Sequence, residues 1–63
     1  MYATNGMICT QLGKAQTIKV YNTAGMLVAS YQVGDGTNMV DASHLAHGIY
    51  MVRHEGGTAK VVL

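Results

Sequence analysis

The chain contains no proline, phenylalanine or tryptophan, and only 1 cysteine, Cys9. A lone cysteine cannot close an intramolecular disulfide, so the stapled scaffolds common among small extracellular domains are excluded. Charge is scarce: Asp, Glu, Lys and Arg make up 11% of the residues, 4 cations against 3 acids, for a formal net charge of +1. A balance that small supplies no electrostatic footprint for nucleic acid or an anionic membrane. No apolar run reaches the ~20 residues of a membrane-spanning helix, so no stable membrane insertion is expected. The opening Met1-Tyr2-Ala3-Thr4-Asn5-Gly6 lacks the basic start and apolar stretch of a secretory signal peptide. Helical periodicity of useful length is also missing, as are low-complexity tracts, linkers and internal repeats.

What is present is a hydrophobic fraction of 49%, with 8 glycines and 4 tyrosines as the only aromatics. That fraction predicts a folded core. A chain of 63 residues makes one small domain. Domains of this size bury only about 60% of their unfolded surface. At about 0.05–0.15 kcal/mol per residue, a net stability of roughly 3–9 kcal/mol is expected.

Short apolar stretches alternate with turn chemistry along the whole chain. Residues 7–12 read as a strand and Gly13-Lys14-Ala15-Gln16 as a turn. In 17–21, Ile18 and Val20 point one way and Thr17, Lys19 and Tyr21 the other. Asn22-Thr23-Ala24-Gly25 then turns the chain, with Gly25 suited to positive φ in a hairpin with a bulge. Residues 26–33 form the next strand, with Leu27, Ala29, Tyr31 and Val33 on the apolar face and Ser30 and Gln32 on the wetter one. Asp35-Gly36 is a hairpin signal, followed by a strand over 37–40. Residues 49–54 and 58–63 flank a turn at Glu55-Gly56-Gly57. The expected fold is all-β: a small immunoglobulin-like antiparallel sandwich of about seven short strands.

The chemistry-bearing residues are better explained by structure than by catalysis. His44 and His47 beside Asp41 are zinc-competent types, but they fall in a loop with no fourth ligand. Asp41 reads as a cap whose carboxylate accepts from the backbone of Ser43 or His44. Cys9 sits mid-strand among apolar residues, where a thiol behaves as a small hydrophobe. Asp35 and Asp41 are turn residues, and Gly34-Asp35-Gly36 lacks the context of a phosphate-binding loop. Tyr21, Tyr31 and Tyr50 either stack a ligand on an exposed face or pack across strands, and cross-strand packing is favoured. No catalytic residue, metal or cofactor is expected. Tyr50 and Val52 are expected in the core against the sheet containing Val20, with Gly48 permitting a bend or close approach that a Cβ would block. Arg53 and Lys60 put two cations on neighbouring strands, as a docking patch or a solvated face.

Three pieces in order then resemble a known family, the type A C-terminal sorting domain of the type IX secretion system of Gram-negative bacteria. Val20-Tyr21-Asn22 with Gly25, Leu27 and Val28 is similar to its strand–turn–strand opening. Val40-Asp41-Ala42-Ser43 with Leu45, then Gly48-Ile49-Tyr50-Met51-Val52-Arg53, resembles its best-known motif, and Lys60-Val61-Val62-Leu63 its terminal strand. The resemblance runs from about Val20 to Leu63. His54 stands where the family usually has an apolar residue, His47 where it has a small or polar one, and its proline-containing segment is absent.

The resemblance implies that residues 1–63 are a single sorting domain at the end of a larger exported protein. The domain would carry a fused N-terminal cargo through the periplasm and outer membrane to the cell surface or beyond. Partners implied are the secretion machinery and a surface sortase that removes the domain. The residues implied in recognition are Gly48, Tyr50, Val52, Arg53, Lys60, Val61, Val62 and Leu63; Val20, Asn22, Gly25, Asp41 and Leu45 are implied as structural. An exposed terminal edge strand also makes an edge-strand homodimer an expectation. The rival reading is a small β-sandwich binding or adhesion module for carbohydrate or protein, and an enzyme is a distant third.

Overall fold

Alternation of apolar and polar side chains builds this molecule. In residues 16–21, Ile18 and Val20 are fully buried while Thr17 and Lys19 are exposed, the period of two that a half-buried strand requires. The same rhythm recurs in Ile49–His54, where Tyr50 and Val52 are buried between exposed Ile49, Met51 and Arg53. The computed structural model describes residues 1–63 as seven strands without a helix. They are β1 (Tyr2–Thr4), β2 (Met7–Leu12), β3 (Gln16–Tyr21), β4 (Leu27–Val33), β5 (Gly36–Asp41), β6 (Ile49–His54) and β7 (Gly57–Val62). Two antiparallel sheets result, one ordered β1-β2-β5 and the other β4-β3-β6-β7. This is the antiparallel sandwich expected from the sequence, with the three-and-four division of strands seen in immunoglobulin-like folds.

The core lies between the sheets. Ile8 of the smaller sheet joins Ile18, Val20, Val33, Tyr50, Val52 and Val61 of the larger one, and Ala42 closes one end. Val20 stands directly opposite Val52, and Tyr50 opposite Val61, so the buried residues stack in cross-strand pairs. Thr10 is the one buried polar residue, and its hydroxyl donates to the Asn38 carbonyl at 3.3 Å. No buried side-chain polar atom lacks a partner.

Four details differ from expectation. First, the chain opens with a strand that the apolar pattern does not announce. Asn5 and Gly6 take φ of 52° and 75° and turn β1 back onto β2, the positive-φ pair of a tight hairpin. Second, Asp35-Gly36 does not close a hairpin. β4 and β5 lie in different sheets, and β5 pairs over its whole length with β2 instead. Gly36 at φ 79° and an Asn38 side chain donating to the Gly34 carbonyl at 2.8 Å shape this corner. Third, Leu27 is not a core residue. The register slips between Val20 and Tyr21, so that Val20 faces Ala29 but Tyr21 faces Leu27. The extra residue, Val28, packs against the core, and Leu27 turns outward to 54% exposure. Fourth, Tyr50 and Val52 lie in the same sheet as Val20 and are packed into the shared core with Ile8 across the sandwich. Beyond its chain neighbours, no atom lies within 4 Å of where a Gly48 Cβ would stand, so of the two reasons expected for this glycine the bend, at φ 155°, holds and the close approach does not.

Candidate recognition surface

The loop between β5 and β6 is organised one bond at a time. The Asp41 carboxylate accepts from the Ser43 amide at 2.9 Å, the expected cap. The Ser43 bonds hold the Asp41 carboxyl below the usual carboxylate range, with a smaller contribution from the charge of His44. The Ala42 amide donates to the Gly6 carbonyl at 2.8 Å, tying the loop to the β1–β2 turn. The Leu45 amide donates back to Ala42 at 3.0 Å, and Leu45 packs half-buried against the core. From below, the Tyr50 hydroxyl donates to the Ala46 carbonyl at 2.7 Å. Tyr50 therefore fills the core with its ring and pins the loop with its oxygen. A second tyrosine, Tyr31, donates to the Asp41 carbonyl at 3.0 Å. Its hydroxyl titrates above the ordinary tyrosine range, chiefly because it is partly desolvated and then because of the Asp41 charge.

Beyond that loop lies the terminal hairpin. Gly48 and Leu63 exchange two backbone hydrogen bonds, of 3.0 and 2.8 Å, which extend the β6–β7 ladder to the last residue. At the other end, the His54 ring accepts from the Gly56 amide at 3.2 Å, so this half-buried histidine braces the two-residue turn. β7 ends the four-stranded sheet, with a ladder partner on one side only. β1 touches β7 without pairing to it. An edge of this kind presents unpaired backbone N–H and C=O groups.

The residues assigned to recognition divide by the pleat of the two strands. Tyr50, Val52 and Val61 point into the core, whereas Arg53, Lys60 and Val62 are exposed. Gly48 and Leu63 are half-buried and bonded to each other. Among the residues assigned a structural part, Val20 is fully buried and Asn22 builds its own turn. The Asn22 carboxamide oxygen accepts from the amides of Ala24 and Met26, both at 3.0 Å, and Gly25 follows at φ 83°.

The remaining reactive groups lie apart from one another. Cys9 is buried on the outer side of β2, with Tyr2 and Met39 as its cross-strand neighbours. His44 and His47 are exposed in the loop, and no three His, Cys, Asp or Glu side chains converge as metal ligands would. The tyrosines form no common platform, since the rings of Tyr31 and Tyr50 pack on the core side of the sheet and Tyr21 lies on the outer face. Sequence reasoning missed β1, although Asn5-Gly6 is as strong a hairpin signal as Asp35-Gly36.

No curated protein and no solved structure matches this chain. Residues 4–63 match the family described as Secretion system C-terminal sorting domain. The match covers β2 to β7 complete and reaches the capped loop, the terminal hairpin and the edge strand. The chain therefore belongs to the C-terminal sorting domains of the type IX secretion system, the family that marks the protein carrying it for export.

Proposed function

We propose that this domain works as an address read through its last strand, without catalytic activity of its own. The observation that carries the proposal is the edge position of β7, anchored at its end by the Gly48–Leu63 pair. A receptor strand can add to such an edge by backbone hydrogen bonds while side-chain pockets supply specificity. The family gives the destination, since the chain carries a sorting domain of the type IX machinery and the protein bearing it is exported. On this reading the cargo passes through the periplasm, and a surface sortase then cleaves it from the domain. The domain is the sortase's substrate, and the buried Tyr50, Val52 and Val61 act by holding the hairpin in shape. The same unpaired edge supports an edge-to-edge homodimer at high concentration, measurable by sedimentation.

The test is removal of residues 60–63 from a tagged cargo, followed by fractionation of the cell. Loss of surface cargo with accumulation in the periplasm is the expected result. Normal arrival of cargo at the surface contradicts the reading. Sortase removal is checked separately by the mass of the surface form, which lacks the domain if cleavage occurs.

A further inference from the structure

The outer face of the four-stranded sheet carries charge in an uneven way. Lys19, Arg53 and Lys60 are exposed there, three of the chain's 4 cationic residues. Lys19 stands directly opposite Arg53 in the β3–β6 register, and Lys60 directly opposite Met51 in β6–β7. The three acids lie elsewhere: Asp35 in the β4–β5 corner, Asp41 at the end of β5, and Glu55 in the hairpin turn bonded to Lys14 at 2.6 Å. No ion pair reaches Lys19, Arg53 or Lys60. Like charges directly opposite across a ladder destabilise a sheet, and nothing within the fold offsets this pair.

Apolar side chains interleave with the cations. Leu27, Tyr21 and Met51 follow one another across β4, β3 and β6, and Lys60 of β7 ends that row. Ile49 and Val62 oppose each other beside it, exposed to 46% and 62%. On the other side of the Tyr21–Met51 row, toward Lys19 and Arg53, the side chains of Tyr21, Asn22, Met51, Arg53 and Thr58 line a shallow hollow of about 470 Å³. Tyrosine, methionine and arginine around apolar contacts make up the composition of a protein interface core. A nucleic-acid or lipid surface is met by many cations at once, and this face offers three.

We propose that this face is a docking surface for a folded protein partner that presents carboxylates around an apolar centre. The inference rests on the sorting function above and assigns the partner's chemistry to a second surface next to the β7 edge. An acidic partner relieves the Lys19–Arg53 opposition on binding, covers Leu27, Met51 and Val62, and seats a side chain in the hollow. Stability in the free domain and affinity in the complex are thus set against each other at Lys19.

That opposition makes the test selective. In the full exported protein, Lys19→Glu places an acid opposite Arg53, so the domain's thermal midpoint rises by a few degrees. Export falls in the same variant. Combined with Arg53→Glu and Lys60→Glu, the surface signal drops about tenfold or more, as expected when steering charges are reversed. Lys14→Gln, off this face, exports as the parent does. Lys60→Glu alone, which opposes no charge, keeps the test decisive if the triple variant fails to fold, and its export also falls. If charge reversal leaves export at the parent level while deletion of residues 60–63 blocks it, the sorting function stands and the docking face is wrong. If the deletion also exports normally, both fall. Vesicles of mixed anionic and zwitterionic phospholipid form the last arm. Binding that the triple variant abolishes would name a lipid surface and overturn the proposal.

Discussion

Tyr50 shows how one side chain can serve both packing and loop geometry. Its ring belongs to the core cluster, and its hydroxyl holds Ala46 at 2.7 Å. Tyr50→Phe keeps the ring and is expected to cost about 0.5–1.5 kcal/mol, the net worth of one hydrogen bond. Tyr50→Ala is expected to cost about 3–5 kcal/mol, which rivals the roughly 3–9 kcal/mol available to the whole domain. Denaturant melts separate the two, with the alanine variant unfolded or nearly so; an alanine variant that melts like the parent would move Tyr50 out of the core. Gly48 is a different case. Nothing crowds its missing Cβ, so Gly48→Val acts only through a φ of 155°, with about 1–3 kcal/mol of backbone strain expected in the same melts. The sequence announces the Asp41 cap and the Asn22 turn because both are made by residues two to four apart. For Gly48 it leaves two reasons open, a bend or a close approach, since the space around a residue depends on elements far along the chain; the backbone conformation decides for the bend.

At the scale of elements, strand existence is local information and strand partnership is not. The bounds of β2 and β6 follow from apolar alternation and turn residues and agree with the expected 7–12 and 49–54. Asp35-Gly36 bends the chain without closing the hairpin its chemistry suggests, and β5 pairs with β2, nearly thirty residues earlier, at Thr10↔Asn38. The bulge at Val28 likewise turns Leu27 outward although the plain period of two places it inside. β1 leaves little trace in the sequence, because three residues are too few to show a period and only the Asn5-Gly6 turn signals it. This strand sets one expectation. Asn5→Val forces a β-branched side chain to φ 52°, at about 1–2 kcal/mol for the left-handed region, and loosens β1 from β2. Cys9, now covered with Tyr2 as its neighbour, then reacts faster with a thiol reagent such as a disulfide dye. An unchanged labelling rate would mean that β1 does not shield the thiol.

The whole molecule is thinly buried, with 10 of 63 residues buried, so small electrostatic contributions bear on its folding. Asp41 has a lowered folded-state pKa. Its contribution is therefore present above the ordinary aspartate value near ~4 and is lost as pH falls through the lower folded value. Tyr31 has a raised pKa, so its contribution is complete below the ordinary tyrosine value near ~10 and disappears as pH climbs through the higher folded value. A stability plateau between those limits is expected from urea melts across pH, with the acid shoulder diminished in Asp41→Asn. The terminal hairpin was legible in the sequence because it is contiguous there. The cationic face was only half legible: Arg53 and Lys60 stand out in the sequence, but Lys19 joins them only through the β3–β6 register. As a folded unit, the domain is expected to address any protein fused ahead of it. The most direct measurement fuses residues 1–63 behind an unrelated periplasmic passenger in a cell that has the type IX machinery, and then assays the passenger by surface labelling. That passenger is expected at the surface, and none is expected there when residues 60–63 are removed. A passenger that stays in the periplasm with the appended domain folded and intact would contradict this expectation.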